Sequence, residues 1–132
     1  MIVVDSSALV AILRREPEAD TFLKVIAESQ RCLVSSVSLL ETSMVLAGQT
    51  GDHERWSDLD ALIERAEIEV VPQDAEQVAR AREAFLRYGK GRHPARLNLA
   101  DCASYALAKG RGFPLLFKGD DFERTDLAAA SI

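Results

Sequence analysis

Five acidic residues sit where an apolar run ends or a helix is due to begin. Asp5 closes Ile2-Val3-Val4, Glu41 closes Ser-Leu-Leu-Glu at 38–41, Asp101 follows Asn98 by three, and Asp120-Asp121 come just after Leu115-Leu116-Phe117. Carboxylates in this number are hard oxygen ligands, suited to Mg²⁺ or to Mn²⁺ in its place, and not to zinc, which takes His or Cys. The two histidines, His53 and His93, lie in polar stretches expected to be exposed and show no ligand spacing. Each acid also has a plainer duty. Glu41 would complete a capping box opened by Ser38, Asp101 would complement a helix dipole, and Asp120 or Asp121 would serve a turn after Gly119. Asp5 is harder to explain away, because a carboxylate at the core end of a buried strand needs a partner or a cation. Jointly the acids repel one another, and no lysine or arginine is placed in sequence to neutralise all of them.

The elements that must carry these acids alternate. Apolar runs at 2–4, 32–34, 68–71 and 115–117 read as strands, with a short last one at 127–130. Between them lie helical patterns. One follows caps at Ser6 and Ser7 and carries Ala8 to Leu13; one is opened by Pro17 and carries Phe22 to Ile26. One starts at Ser38 with Glu41 in its first turn and is broken by Gly48 to Gly51; one carries Trp56 to Ile63. One follows the Asp74 to Gln77 cap, and one starts at Asn98 and is closed by Gly110 and Gly112. Strands that are apolar on both faces predict an α/β fold with a central parallel sheet of four to five strands, covered on both sides. In such a sheet the strand ends and the helix N-termini after them share one edge, so the acids are predicted to meet at one rim.

The chain of 132 residues is 48% hydrophobic and 28% charged, which predicts one compact domain over 1–132. No stretch approaches the ~18 apolar residues of a membrane span, and the start, Met-Ile-Val-Val-Asp, lacks the features of a signal peptide. Cys32 and Cys102 read as two buried thiols of a cytoplasmic protein. A net charge of −5 argues against a non-specific nucleic-acid coat, while remaining compatible with an acidic pocket that holds metal ions.

The segments MIVVDSSALVAIL, VSLLET, YGKGRHPARLNLADCASYALAK and PLLFKGDDF, in this order along the whole chain, resemble those of PIN-domain ribonucleases, and among them the VapC-type toxins of bacterial toxin–antitoxin pairs. The resemblance implies a PIN-like three-layer α/β/α sandwich. It implies a metal-dependent endoribonuclease in which Asp5, Glu41, Asp101 and Asp120 form the acidic site, with Asp5 and Asp101 as core ligands of Mg²⁺ or Mn²⁺ and Asp121 as the alternative to Asp120. It further implies a small cognate antitoxin, an RNA substrate and a homodimer. One departure is Leu99-Ala100 where relatives often carry Phe-Gly before the third acid. A metal at Asp5 and Asp101 would bind a phosphate oxygen and activate water, with Glu41 and Asp120 orienting water or a second ion.

Two further features bear on RNA. Ser6, beside Asp5, is positioned to hydrogen-bond a ligand or a phosphate, or to cap its helix. The segment from Arg87 to Arg96 holds Arg87, Lys90, Arg92 and Arg96 with no acid and leads into the Asp101 helix, so it is expected to be a loop that clamps phosphates beside the site. Rival readings are a receiver-like phospho-accepting domain, a haloacid-dehalogenase-type phosphatase and a catalytically silent binding module of the same fold. The first needs an acid at the end of the middle strand, where Val71 is followed by Pro72; the second needs an acid where Ser7 stands. The retained acids argue against the third.

Overall fold

The computed structural model describes residues 1–131. Four parallel strands, β1 (Ile2–Val4), β2 (Cys32–Ser35), β3 (Ile68–Val71) and β4 (Leu115–Leu116), form a sheet in the order β3-β2-β1-β4. Register places Ile2 opposite Cys32 and Val3 opposite Leu115. Six helices connect and cover the strands: α1 (Ser6–Leu13), α2 (Ala19–Glu28), α3 (Ser36–Thr50), α4 (Trp56–Arg65), α5 (Ala75–Tyr88) and α6 (Leu99–Arg111).

The period of two in a strand divides the core into two layers. Ile2 and Val4, with Cys32, Val34 and Ile68, pack on Leu9, Phe22, Ile26 and Leu59 from α1, α2 and α4. Val3 and Leu33 pack on the other side against Tyr88, Cys102, Tyr105 and Leu107 from α5 and α6. The result is the expected α/β/α sandwich, with β1 central and both its faces buried. The two thiols are buried and unpaired, one in each layer, so the sheet itself separates them. Among the described residues no helix is long and apolar enough to cross a membrane.

Several boundaries differ from the sequence expectation, each for a local reason. The cap of α1 is Asp5, not Ser6 or Ser7: its extended backbone (φ −83°, ψ 158°) already has the N-cap shape, and its carboxylate accepts from the Ser7 amide. The cap of α3 is Ser35, which accepts from the Val37 amide. Glu41 therefore lies in the second turn and completes no capping box, and Ser38 is free for another duty. Gly48 stays helical, and α3 ends at Gly51, whose φ of 75° supplies the left-handed terminus. Pro17 lies in the turn before α2, which starts two residues later. Tyr88 and Arg87 belong to α5, because Tyr88 is buried against Tyr105, so the connecting loop begins at Gly89. His93 is half-buried, its ring edge-on to Tyr88. Phe117 lies beyond β4, and the expected last strand shrinks to a single bridge between Ala129 and Leu115.

Candidate active site

Asp5 is the most enclosed of the acids, 1% exposed at the end of β1. All its hydrogen-bond donors are neutral. Oδ2 accepts from the Ser7 amide at 3.0 Å and the Ser7 hydroxyl at 2.7 Å, and Oδ1 accepts from the Ser104 hydroxyl at 2.6 Å. Ser7 Oγ in turn accepts from the amide of Lys118, just past β4, at 3.0 Å. The ends of β1 and β4 are thereby tied through one serine. Among the described residues no lysine or arginine makes an ion pair with Asp5, Glu41 or Asp101. Lys118 is held instead by Glu16 at 3.0 Å and Glu18 at 3.1 Å.

Glu41 is reached by the Ser6 hydroxyl. The two serines after Asp5 thus divide their work: Ser7 binds Asp5, and Ser6 joins α1 to the acid of α3. Asp101 stands at the third position of α6 and closes a reciprocal capping box. Its Oδ2 accepts from the Asn98 amide at 3.0 Å, and its own amide donates to Asn98 Oδ1 at 3.0 Å. The capping duty expected of Asp101 is real, but it does not exhaust the residue. Burial pushes its carboxyl up to about 7; the Asn98 amide pulls the other way, and the negative charges of Asp5, Glu41 and Asp121 add to the rise. Acids from the end of β1, from α3 and from the turn after β4 thus all bear on Asp101 at the start of α6. Asp120 is not among the charges that act on Asp101; its side chain is 71% exposed and pairs with Arg124 at 4.0 Å.

The donor set is made of carboxylates and hydroxyls, which fits a hard divalent cation and excludes a thiol or imidazole metal site. Cys102, next to Asp101, is pushed up to about 11 by burial and by the Asp101 charge, so it carries no thiolate at neutral pH. Among the described residues no three side chains are already closed into a ligand cage. The acids converge without being drawn together.

The basic segment is only partly free. Arg87 points to Asp126 at 3.4 Å and lies over the Tyr88 ring at 4.9 Å. Arg92 donates to the Leu86 carbonyl at 3.3 Å, while Lys90 and Arg96 are exposed and Arg96 has a φ of 52°. Beside the rim, a groove of about 540 Å³ touches Glu41, Asn98, Leu40 and Met44. A second of about 680 Å³ is lined by Val78, Phe85, Leu86 and Cys102, and Leu99 borders both.

Sequence reasoning assigns Ser7 and Ser38 capping duties only, and Ser104 none. Ser104 did carry a signal. It lies three residues after Asp101, on the same helix face, in a run otherwise made of Cys, Ala, Tyr and Leu.

A parallel sheet with helices on both faces and acids from β1, α3, α6 and the turn after β4 at one rim defines an α/β/α domain with an acidic site. The sequence matches the PIN domain family over residues 2–127. It is 48% identical over 128 residues to a ribonuclease VapC of Mycolicibacterium smegmatis, covering 97% of this chain and 98% of that one. It is 44% identical over 131 residues to ribonuclease VapC30 of Mycobacterium tuberculosis, covering 99% of each. Among solved structures, the sarcin–ricin loop cleaving toxin VapC20 of Mycobacterium tuberculosis shares the fold with a TM-score of 0.81 over 100% of both chains at 18% identity. VapBC2 from Rickettsia felis, solved bound to a DNA fragment from its promoter, gives 0.73 over 98% of this chain and 96% of that one. The chain belongs to the PIN-domain family, among the VapC ribonucleases. The receiver and phosphatase readings fall with that finding.

Proposed function

We propose that the chain, one PIN domain over 1–132, is the toxin of a toxin–antitoxin pair: a divalent-metal-dependent endoribonuclease acting in the cytoplasm. The observation that carries the chemistry is a buried Asp5 held only by neutral donors, beside an Asp101 whose carboxyl is raised by burial and by the charges of Asp5, Glu41 and Asp121. Such a set is stable at neutral pH when a cation is shared among them. Asp5 and Asp101 are the core ligands in this reading, Glu41 and Asp121 the flanking acids, and Asp120 the less favoured fourth position. Mg²⁺, with Mn²⁺ as substitute, would supply charge neutralisation and Lewis acidity toward a phosphodiester. The protein's own part is orientation. Ser7 and Ser104 hold Asp5, Ser6 holds Glu41, and the Asn98 box holds Asp101, so that each acid is oriented by a hydrogen-bond partner of its own.

RNA is the substrate of this reading, with Lys90, Arg92 and Arg96 available to phosphates and Arg87 largely engaged with Asp126. Solved neighbours that are VapBC or toxin–antitoxin complexes support a small antitoxin partner. The exposed Leu40, Met44, Leu86 and Leu99 beside the rim support a second copy of the chain as a further partner. The test is RNA cleavage by the purified chain. Excess chelator is expected to abolish it and Mn²⁺ to restore it, and Asp5→Asn to remove it. Undiminished cleavage in chelator would overturn the metal reading, and harmless expression without the antitoxin would overturn the toxin reading.

A further inference from the structure

Ser38 and Ser104 are both fully buried, 0% exposed, and bond to each other at 2.7 Å between α3 and α6. A buried hydroxyl left without a partner costs about 1–3 kcal/mol, so two of them facing each other would be accounted for by mutual satisfaction alone. The geometry asks more of them. Ser104 also lies 2.6 Å from Asp5 Oδ1, and a carboxylate can only accept. Ser104 has one proton, so it donates to Asp5 and Ser38 must donate to Ser104. The chain of donation runs one way, from Ser38 to Ser104 to Asp5. The opposite oxygen has the same arrangement, where Ser7 donates to Oδ2 at 2.7 Å and accepts from the Lys118 amide. Each hydroxyl on Asp5 is thus fixed as a donor by a donor behind it.

The placement of the two serines is equally specific. Ser104 is three residues after Asp101 and Ser38 three residues before Glu41, so each shares a helix face with an acid of the rim. The relay therefore joins β1, α3 and α6, the elements that bring Asp5, Glu41 and Asp101 together, at a point beneath the carboxylates rather than among them.

We propose that Ser104, fixed in its donor direction by Ser38, is a positioning residue that sets the Asp5 carboxylate for a divalent cation and keeps α3 and α6 in step with it. This rests on the metal reading above. Removal of such supporting partners lowers metal affinity by about 10–100-fold in known metal sites. The experiment is Mn²⁺ and Mg²⁺ binding by calorimetry on purified protein, with melting in chelator and steady-state RNA cleavage alongside. Ser104→Ala is expected to weaken Mn²⁺ binding about 10-fold or more and to lower kcat with KM for RNA little changed. Ser38→Ala is expected to weaken binding about 3-fold, and to add nothing in a Ser104→Ala background, as for residues acting in series. Ser104→Thr, which restores the hydroxyl, is expected to recover the affinity. Ser104→Ala with unchanged Mn²⁺ affinity and only a lower melting temperature would overturn the proposal and leave a packing pair. If Ser104→Ala does not fold, unchanged binding in Ser38→Ala overturns it. A wild type that binds neither ion overturns the metal reading itself, and the relay with it.

Discussion

Asp101→Asn separates charge from capping at one position. Asparagine keeps an oxygen that can accept from the Asn98 amide, so the capping box survives while the negative charge is lost. The wild-type carboxyl is raised from 3.8 to about 7, chiefly by burial and then by the charges of Asp5, Glu41 and Asp121. Between about pH 4 and 7 the ion-free fold therefore holds a proton that the unfolded chain has released, so stability falls as pH rises through that window and is flat above it. The full shift corresponds to about 4 kcal/mol at neutral pH. Solvent reaches part of the group, and screening reduces this to about 2–3 kcal/mol. Melting in excess chelator at about pH 8 should then place the variant some 5–10 °C above the wild type, with the gap closing toward about pH 5. Added Mg²⁺ should raise the wild type and leave the variant where it was, because only the intact site binds the ion. Cleavage should be lost in the variant. A variant less stable than the wild type in chelator at both pH values, by the ~0.3–1 kcal/mol of a helix-dipole partner, would refute the argument.

Asp121→Asn should weaken Mn²⁺ binding and lower cleavage at least 10-fold, whereas Asp120→Asn should leave both within about twofold; calorimetry on the pair decides which acid completes the rim. The double change Lys90→Ala and Arg92→Ala should raise KM for RNA and lower the slope of log affinity against log salt by about 1.4, while Arg87→Ala, which removes the more distant of the two cations on Asp126, should change RNA affinity less than the double change does. Tyr105→Phe removes a 2.6 Å bond to Asp126 and should cost about 1 kcal/mol at neutral pH by denaturant melts. That bond, with help from Lys109, holds the Asp126 carboxyl below its ordinary range, so its contribution is present above the unfolded value and fades as pH falls through the folded one.

The rim was legible in the sequence because two simple rules overlap. A parallel sheet sends its strand ends and following helix starts to one edge, and Asp5, Asp101 and the acids after Leu116 sit at such points. Glu41 was placed at that edge for the wrong reason. The motif Ser38 to Glu41 looks like a capping box, but Ser35 is extended and caps first, which moves Glu41 to the second turn and puts Ser38 beneath the site. The choice between Asp120 and Asp121 depends on which way a short turn rotates two adjacent side chains, and periodicity holds no information on that. The basic segment shows the same limit. Its charges are plain in the sequence, yet Asp126, which engages Arg87, is 39 residues away and could be paired with it only by the fold.

The two-residue β4 and the bridge beside it also govern timing. β1 is the first strand made, and its second neighbour is nearly the last. While the chain is being synthesised, one flank of the central strand has nothing to pair with, the Lys118 amide is not there to turn Ser7, and Asp121 is missing from the rim. Long-range pairing of this kind forms late, since the ends of the loop must be brought together before the contact contributes anything. Until β4 and the turn after it are in place, the chain thus carries an incomplete acidic rim, and the last segment to fold is the one that completes it.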